Sequence, residues 1–168
     1  MNCYNGTMPD IILIAHNIRS THNVGSLLRT ADGFGVKSII FSGYTPYPAF
    51  PGDTRLPHIK ESLTKKIHKA ALGAETMVPF SYQTEPDLQS LSARGYHIIG
   101  LEQDNRAIDI RNFKSSEKIV LIIGEEVHGL THEIKQQCQT LLEIPMYGQK
   151  ESFNVSIASG IALYQLCL

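Results

Sequence analysis

The chain is short of cysteine, of charge in either sign and of long apolar runs, and each shortage removes a class of protein. Cys3, Cys138 and Cys167 are odd in number and far apart, with no C-x-x-C spacing to mark a metal site or a redox pair. Such usage suits a reducing compartment, and a cytoplasmic setting is expected. Fifteen Lys and Arg against 16 Asp and Glu leave a formal net charge of −1 over 168 residues. That balance argues against a generic polyanion binder, whose affinity comes from clustered Lys and Arg. Two local clusters stand out from it, Arg19, His22 and Arg29 in one and Lys60, Lys65, Lys66, His68 and Lys69 in the other. No apolar run approaches a membrane span, and the first ten residues lack the basic segment and apolar core of a signal peptide. A soluble protein with no membrane partner is expected.

Familiar site motifs are missing too. No G-x-G-x-x-G follows the first strand and no G-x-x-x-x-G-K-[ST] occurs anywhere, which disfavours an ordinary dinucleotide fold and a P-loop NTPase. The seven histidines are scattered without an H-E-x-x-H pair, so no metal is expected. Ser20, Ser26 and Ser152 lie in no G-x-S-x-G elbow, which disfavours a serine hydrolase.

What remains is an alternation of strand and helix patterns. Short apolar runs at 10–16, 38–42, 77–80, 96–101, 118–123 and 140–144 read as strands. Helices are expected at 24–34, with Asn23 as N-cap and Gly35 past its end, and at 62–72, 87–94 and 131–138. A proline- and glycine-rich loop fills 43–57. The pattern predicts an α/β fold, a largely parallel sheet with helices on both faces, in a single domain over 1–168 without a linker. The closing helix is unusual in being apolar all round. Val155, Ala162 and Leu166 share one side and Ile157, Ile161 and Tyr164 nearly the opposite one. Such a helix needs cover on several sides, from the chain or from a second subunit.

Ligands of parallel sheets bind beyond the carboxyl ends of the strands, which directs attention to residues 16–19, 100–103, 124–130 and 145–154. Arg29, opposite the apolar stripe of its helix, faces solvent or a partner. Singly, each candidate has a bland reading. Asn23 caps a helix, as does Ser152 or Asn154; Arg29 pairs with Asp32; Glu126 is a solvated carboxylate; Gly124 and Gly129 are turn residues. Jointly, those readings require unrelated accidents at neighbouring strand ends.

In combination, N-V-G-S-L-L-R-T-A-D at 23–32, G-E-E-V-H-G-L at 124–130, and I-P-M at 144–146 running on to S-F-N-V-S at 152–156 resemble the three ordered motifs of the SpoU (TrmH-like) RNA 2'-O-ribose methyltransferases of the SPOUT superfamily. The resemblance implies a C-terminal trefoil knot that binds S-adenosylmethionine, a homodimer in which two subunits build each site, and transfer of a methyl group to a ribose 2'-hydroxyl of tRNA or rRNA. It casts Arg29, Asn23, Ser152 and Asn154 as the substrate-side, catalytic groups. Leu101, Gly124, Glu126, Ile144, Met146, Ser152 and Phe153 become the cofactor contacts, with the glycines allowing close backbone approach. Glu125 stands where the family usually has a small residue or proline, Val127 where glycine is frequent, and Phe153 where leucine is common. Larger members carry RNA-binding extensions; none is expected here, which leaves Arg19, Lys65, Lys66 and the 43–57 loop to hold RNA. A knotted RNA-binding protein without methyltransferase activity is the alternative. Methylation of a base is disfavoured by the first motif.

Overall fold

In the run Asp10–His16 every residue from Ile11 onward is buried, because both faces of this strand find apolar cover. Ile11, Leu13 and Ala15 pack into one core, Ile12 and Ile14 into another on the reverse side. The run Lys118–Ile123 divides in the same way, Ile119, Leu121 and Ile123 against Val120 and Ile122. Full burial of an Ile or Leu is worth roughly 1.5–3 kcal/mol. These two adjacent strands therefore carry much of the driving force for folding.

The computed structural model describes residues 8–114 and 116–168; Cys3 and most of the segment read for a signal peptide lie outside the described residues. Seven strands, β1 (Asp10–His16), β2 (Ser38–Ser42), β3 (Phe80–Gln83), β4 (His97–Leu101), β5 (Ile108–Asp109), β6 (Lys118–Ile123) and β7 (Thr140–Glu143), form one sheet in the order β3-β2-β1-β6-β4-β7-β5. Every pairing is parallel. Five helices cover it: α1 (Thr21–Gly33), α2 (Pro57–Ala71), α3 (Leu88–Ala93), α4 (His132–Gln137) and α5 (Val155–Leu166). Residues of α1, α2 and α5 fill the first core; Leu88 and Leu91 of α3 and Ile134 of α4 join the second. The α/β reading with helices on both faces is thus observed.

Several boundaries differ from the sequence expectation. Helix α1 starts earlier because Ser20, not Asn23, caps it, the Ser20 hydroxyl accepting from the Asn23 backbone N–H at 3.3 Å. Asn23 is left inside the first turn, 7% exposed, with its side chain free to reach elsewhere. Helix α2 begins at Pro57, whose fixed φ suits a first helical position. The strand expected at 77–80 is displaced to 80–83, behind a 3₁₀ turn at Ala74–Thr76. The two-residue β5 was not anticipated. Among the described residues, no helix is long and apolar enough to cross a membrane, and no three metal-ligating side chains cluster.

Two close approaches hold the layers together. Gly25 of α1 lies so near the Ile67 carbonyl of α2 that an added Cβ would collide with it and sit 2.9 Å from the Ala70 Cβ. Gly100 in β4 likewise leaves room for Leu130 and Leu141, each 2.8 Å from a hypothetical Cβ.

Candidate functional site

Beyond the carboxyl ends of β4, β6 and β7 lies a cleft of about 320 Å³, within the size range of small-molecule sites. Leu101, Glu102 and Gln103 come from the end of β4, residues 123–129 from the end of β6, and Glu143 and Ile144 from the end of β7. Glu151, Ser152, Phe153, Val155 and Ala158 close the remaining side. Of the expected cofactor contacts, Leu101, Gly124, Glu126, Ile144, Ser152 and Phe153 line this cleft. Met146 does not; it is half-buried in the same loop, two residues beyond Ile144.

The 124–130 loop folds back on itself. Gly129 N–H donates to the Glu125 carbonyl at 2.9 Å, and the two residues form an antiparallel bridge. A Cβ on Gly124 would strike the Gly129 backbone, and one on Gly129, which has φ of +66°, would strike the Glu102 carboxylate. Glycine at 124 is therefore required first by the loop's own closure, a nearer neighbour than any ligand. Glu102 locks the fold-back by accepting from the Leu130 N–H at 2.6 Å.

The substrate-side candidates converge in part. Asn23 donates from Nδ2 to Glu126 Oε1 at 2.8 Å, and Asn154 donates from Nδ2 to Asn23 Oδ1 at 3.2 Å. One side chain from each of three segments, more than 100 residues apart between the first and the others, thus joins a single chain of hydrogen bonds at the cleft's edge. Asn154 also caps α5, its Oδ1 accepting from Ser156 N–H at 2.9 Å and from the Ser156 hydroxyl at 2.7 Å. Its capping reading and its site reading are both satisfied by one amide. Ser152 is exposed on the cleft wall.

Arg29 is not brought to this cleft. It stands on the exposed side of α1, six residues beyond Asn23, and among the described residues no hydrogen bond, ion pair or ring contact holds it, the pairing with Asp32 included. Its neighbour Thr30 faces Gly160 of α5, and Phe34 packs edge-on against Tyr164 with centroids 6.5 Å apart. The outer side of α5 remains open, with Ile157 56%, Ile161 37% and Tyr164 56% exposed, while Val155, Ser159, Ala162, Leu163 and Leu166 are buried.

Four of the cleft's carboxylates were not named as site residues from the sequence. Glu102, Glu143 and Glu151 join Glu125 and Glu126 on its wall, and among the described residues no lysine or arginine lines it. Glu102 follows β4 directly and Glu143 ends β7, so strand-end position was the available signal. Glu125, unusual at its position, is held by the His128 ring at 3.1 Å and by Arg19 at 2.5 Å. The His128 hydrogen bond, and then the Arg19 charge, keep the Glu125 carboxyl below its ordinary range despite partial desolvation.

Comparison with known proteins points the same way. The profile of the SpoU rRNA Methylase family matches residues 53–164. A Staphylococcus haemolyticus protein named for the TrmH family of tRNA/rRNA methyltransferases is 30% identical over 158 residues, which is 92% of this chain and 57% of that protein. The chain thus spans little more than half the length of the curated relatives it matches. Among solved structures, an AdoMet-bound rRNA methyltransferase of Sinorhizobium meliloti superposes with a TM-score of 0.77 at 23% identity, over 95% of this chain and 56% of that one. An RNA 2'-O ribose methyltransferase superposes with a TM-score of 0.77 at 21% identity, over 97% and 57%. At those identities the two structures speak to the fold.

Proposed function

The chain belongs to the SpoU rRNA methylase family, and from that premise we propose that it transfers the methyl group of S-adenosylmethionine to a ribose 2'-hydroxyl of tRNA or rRNA. The observation that carries this reading is the Asn154–Asn23–Glu126 hydrogen-bond chain, which draws one residue from each of the three motif segments to the edge of one cleft.

The cleft suits the methyl donor. Five carboxylates and no Lys or Arg on its wall match a ligand that carries a sulfonium and an ammonium charge. Leu101, Ile144 and Phe153 offer apolar surface for the adenine, and Glu126 and Ser152 offer polar partners. When bound, the sulfonium supplies an already activated methyl group, so the protein's task is alignment and support of the attacking hydroxyl.

Arg29 serves that hydroxyl by charge and by its planar fork, gripping the adjacent phosphate and stabilising the developing alkoxide. A guanidinium stays protonated, so it does not act as the base. Asn23, Ser152 and Asn154 supply further hydrogen bonds. Because Arg29 stands away from the cleft of its own chain, it completes the cleft of a second copy in a two-fold dimer. The open apolar side of α5, beside α1, supports that interface. Position in the sheet supports the knot: β7 lies between β4 and β5, strands consecutive in sequence among these three, so the chain leaving β7 must pass the connection between them. The described residues then act as one SPOUT-type methyltransferase domain in the cytoplasm.

The experiment is nucleoside mass spectrometry of total tRNA and rRNA incubated with the protein and S-adenosylmethionine. New 2'-O-methylnucleosides are expected. Methylation confined to bases, or none beside tight cofactor binding, would sink the ribose reading, and the latter would favour an RNA-binding protein without activity.

A further inference from the structure

Next to the cofactor cleft, over the ends of β1 and β2, a tight turn presents Tyr44 on a backbone held by hydrogen bonds. Gly43 adopts φ of +64°, and its carbonyl accepts from the Tyr82 hydroxyl at 2.8 Å while its N–H donates to Thr84 at 3.0 Å. The Tyr44 N–H donates to Asn17 Oδ1 at 3.2 Å. Asn17 itself has φ of +60°, a left-handed conformation open to asparagine, and its surroundings hold it there. Those surroundings are a buried polar network. Asn17 Nδ2 meets His16 Nε2 at 3.0 Å, His16 Nδ1 meets the Ser42 hydroxyl at 2.9 Å, and the Thr45 hydroxyl donates to the Ala15 carbonyl at 2.9 Å.

All of this pins the backbone on either side of Tyr44, yet its ring is not packed into a core: it is 51% exposed. The Arg19 guanidinium lies 5.8 Å from the ring centroid, is 65% exposed in its side chain, and is held by Glu125 of the cleft wall at 2.5 Å. An exposed aromatic ring with a guanidinium close by is a combination that seats an unpaired nucleotide, the base stacking on the ring and the phosphate meeting the guanidinium.

We propose that Tyr44 and Arg19 form a seat for an unpaired RNA nucleotide at the mouth of the cofactor cleft, positioned there by the Asn17–Gly43 turn and by the Arg19–Glu125 pair. This rests on the RNA methyltransferase reading above. Glu125, one of the positions at which this chain departs from the resembled motifs, thereby ties the RNA seat to the loop that walls the cofactor.

The test uses filter binding of total bacterial tRNA and rRNA at several salt concentrations, with initial rates of methyl transfer at varied RNA. Tyr44→Leu is expected to weaken RNA binding and kcat/KM for RNA about tenfold, the low end of stacking losses. Calorimetric affinity for S-adenosylhomocysteine and the melting temperature stay as in the parent. Tyr44→Phe, which keeps the ring, restores most of the loss. Arg19→Ala reduces the salt dependence of RNA binding by about one phosphate contact. Parent-like RNA affinity in Tyr44→Leu, or equal losses in the Leu and Phe variants, would overturn the seat while leaving the methyltransferase reading intact. A parent protein that neither binds nor methylates RNA, yet binds S-adenosylhomocysteine, would remove both.

Discussion

The proposed cofactor cleft and the outer side of α5 sit on neighbouring parts of one chain and differ in how complete they are. Around the cleft each loop is closed by its own partners: Gly129 on Glu125, Glu102 on Leu130, Asn23 on Glu126, Asn154 on Asn23. On the outer side, Ile157, Ile161 and Tyr164 stay open, and Arg29 nearby has no partner among the described residues. On the proposed reading, a single chain builds the half that binds the methyl donor and leaves unfinished the half assigned to the attacking ribose. In the proposed dimer, a second copy finishes it.

Breaking the complete half is expected to have the largest effect. Gly124→Ala drives a Cβ into the Gly129 backbone, which cannot move without opening the loop. Calorimetry should then detect no S-adenosylhomocysteine binding, with stability lowered by about 1–3 kcal/mol. Gly148→Ala, at a position with nothing within 4 Å, should leave both unchanged. Equal damage at the two glycines would show that loop closure is not what position 124 serves.

In the unfinished half, Arg29→Ala should reduce turnover roughly 10²-fold with cofactor affinity nearly unchanged. Arg29→Lys separates charge and fork from proton abstraction, since lysine deprotonates more readily and makes no bidentate grip. Near-normal activity with a pH profile moved toward the lysine pKa would restore the base role. Ile161→Glu puts a charge on the open apolar side and should halve the mass seen by light scattering; an unchanged mass would place any dimer contact elsewhere.

The smallest effect concerns pH. Burial lowers the pKa of His16, partly offset by the Glu85 charge, and burial also lowers that of His97. Protons then bind the unfolded chain more readily, with its value near 6.5, than the folded one. The melting temperature should hold above about 6.5 and decline as pH falls through and below it. His16→Gln should flatten that decline.

The two halves were also unequally legible in the sequence. Strands β1, β2 and β6 followed from apolar runs that both faces of a covered sheet reward, and the two apolar sides of α5 followed from helical spacing; one is buried, while the other, expected to be covered as well, stands open in the single chain. Asn23 was misread as a cap because Ser20, three residues earlier, offers the same chemistry, and only tertiary contact shows the amide turned to Glu126. The Arg19–Glu125 and Glu102–Leu130 contacts span 106 and 28 residues and leave no periodic trace. Met146 has a motif position but no place on the cleft wall.

Subunit complementation tests the shared site most directly. Arg29→Ala removes the group that the proposed dimer supplies to its neighbour's cleft, and Ser152→Trp, at an exposed position on the cleft wall, blocks the cleft of its own chain. Each variant alone should yield few 2'-O-methylnucleosides from total bacterial RNA and S-adenosylmethionine. After subunit exchange in an equal mixture, mixed dimers each hold one intact site, and about a quarter of the parent activity should return. A mixture that stays as inactive as its components, with exchange verified by mass, would contradict a site built from two chains.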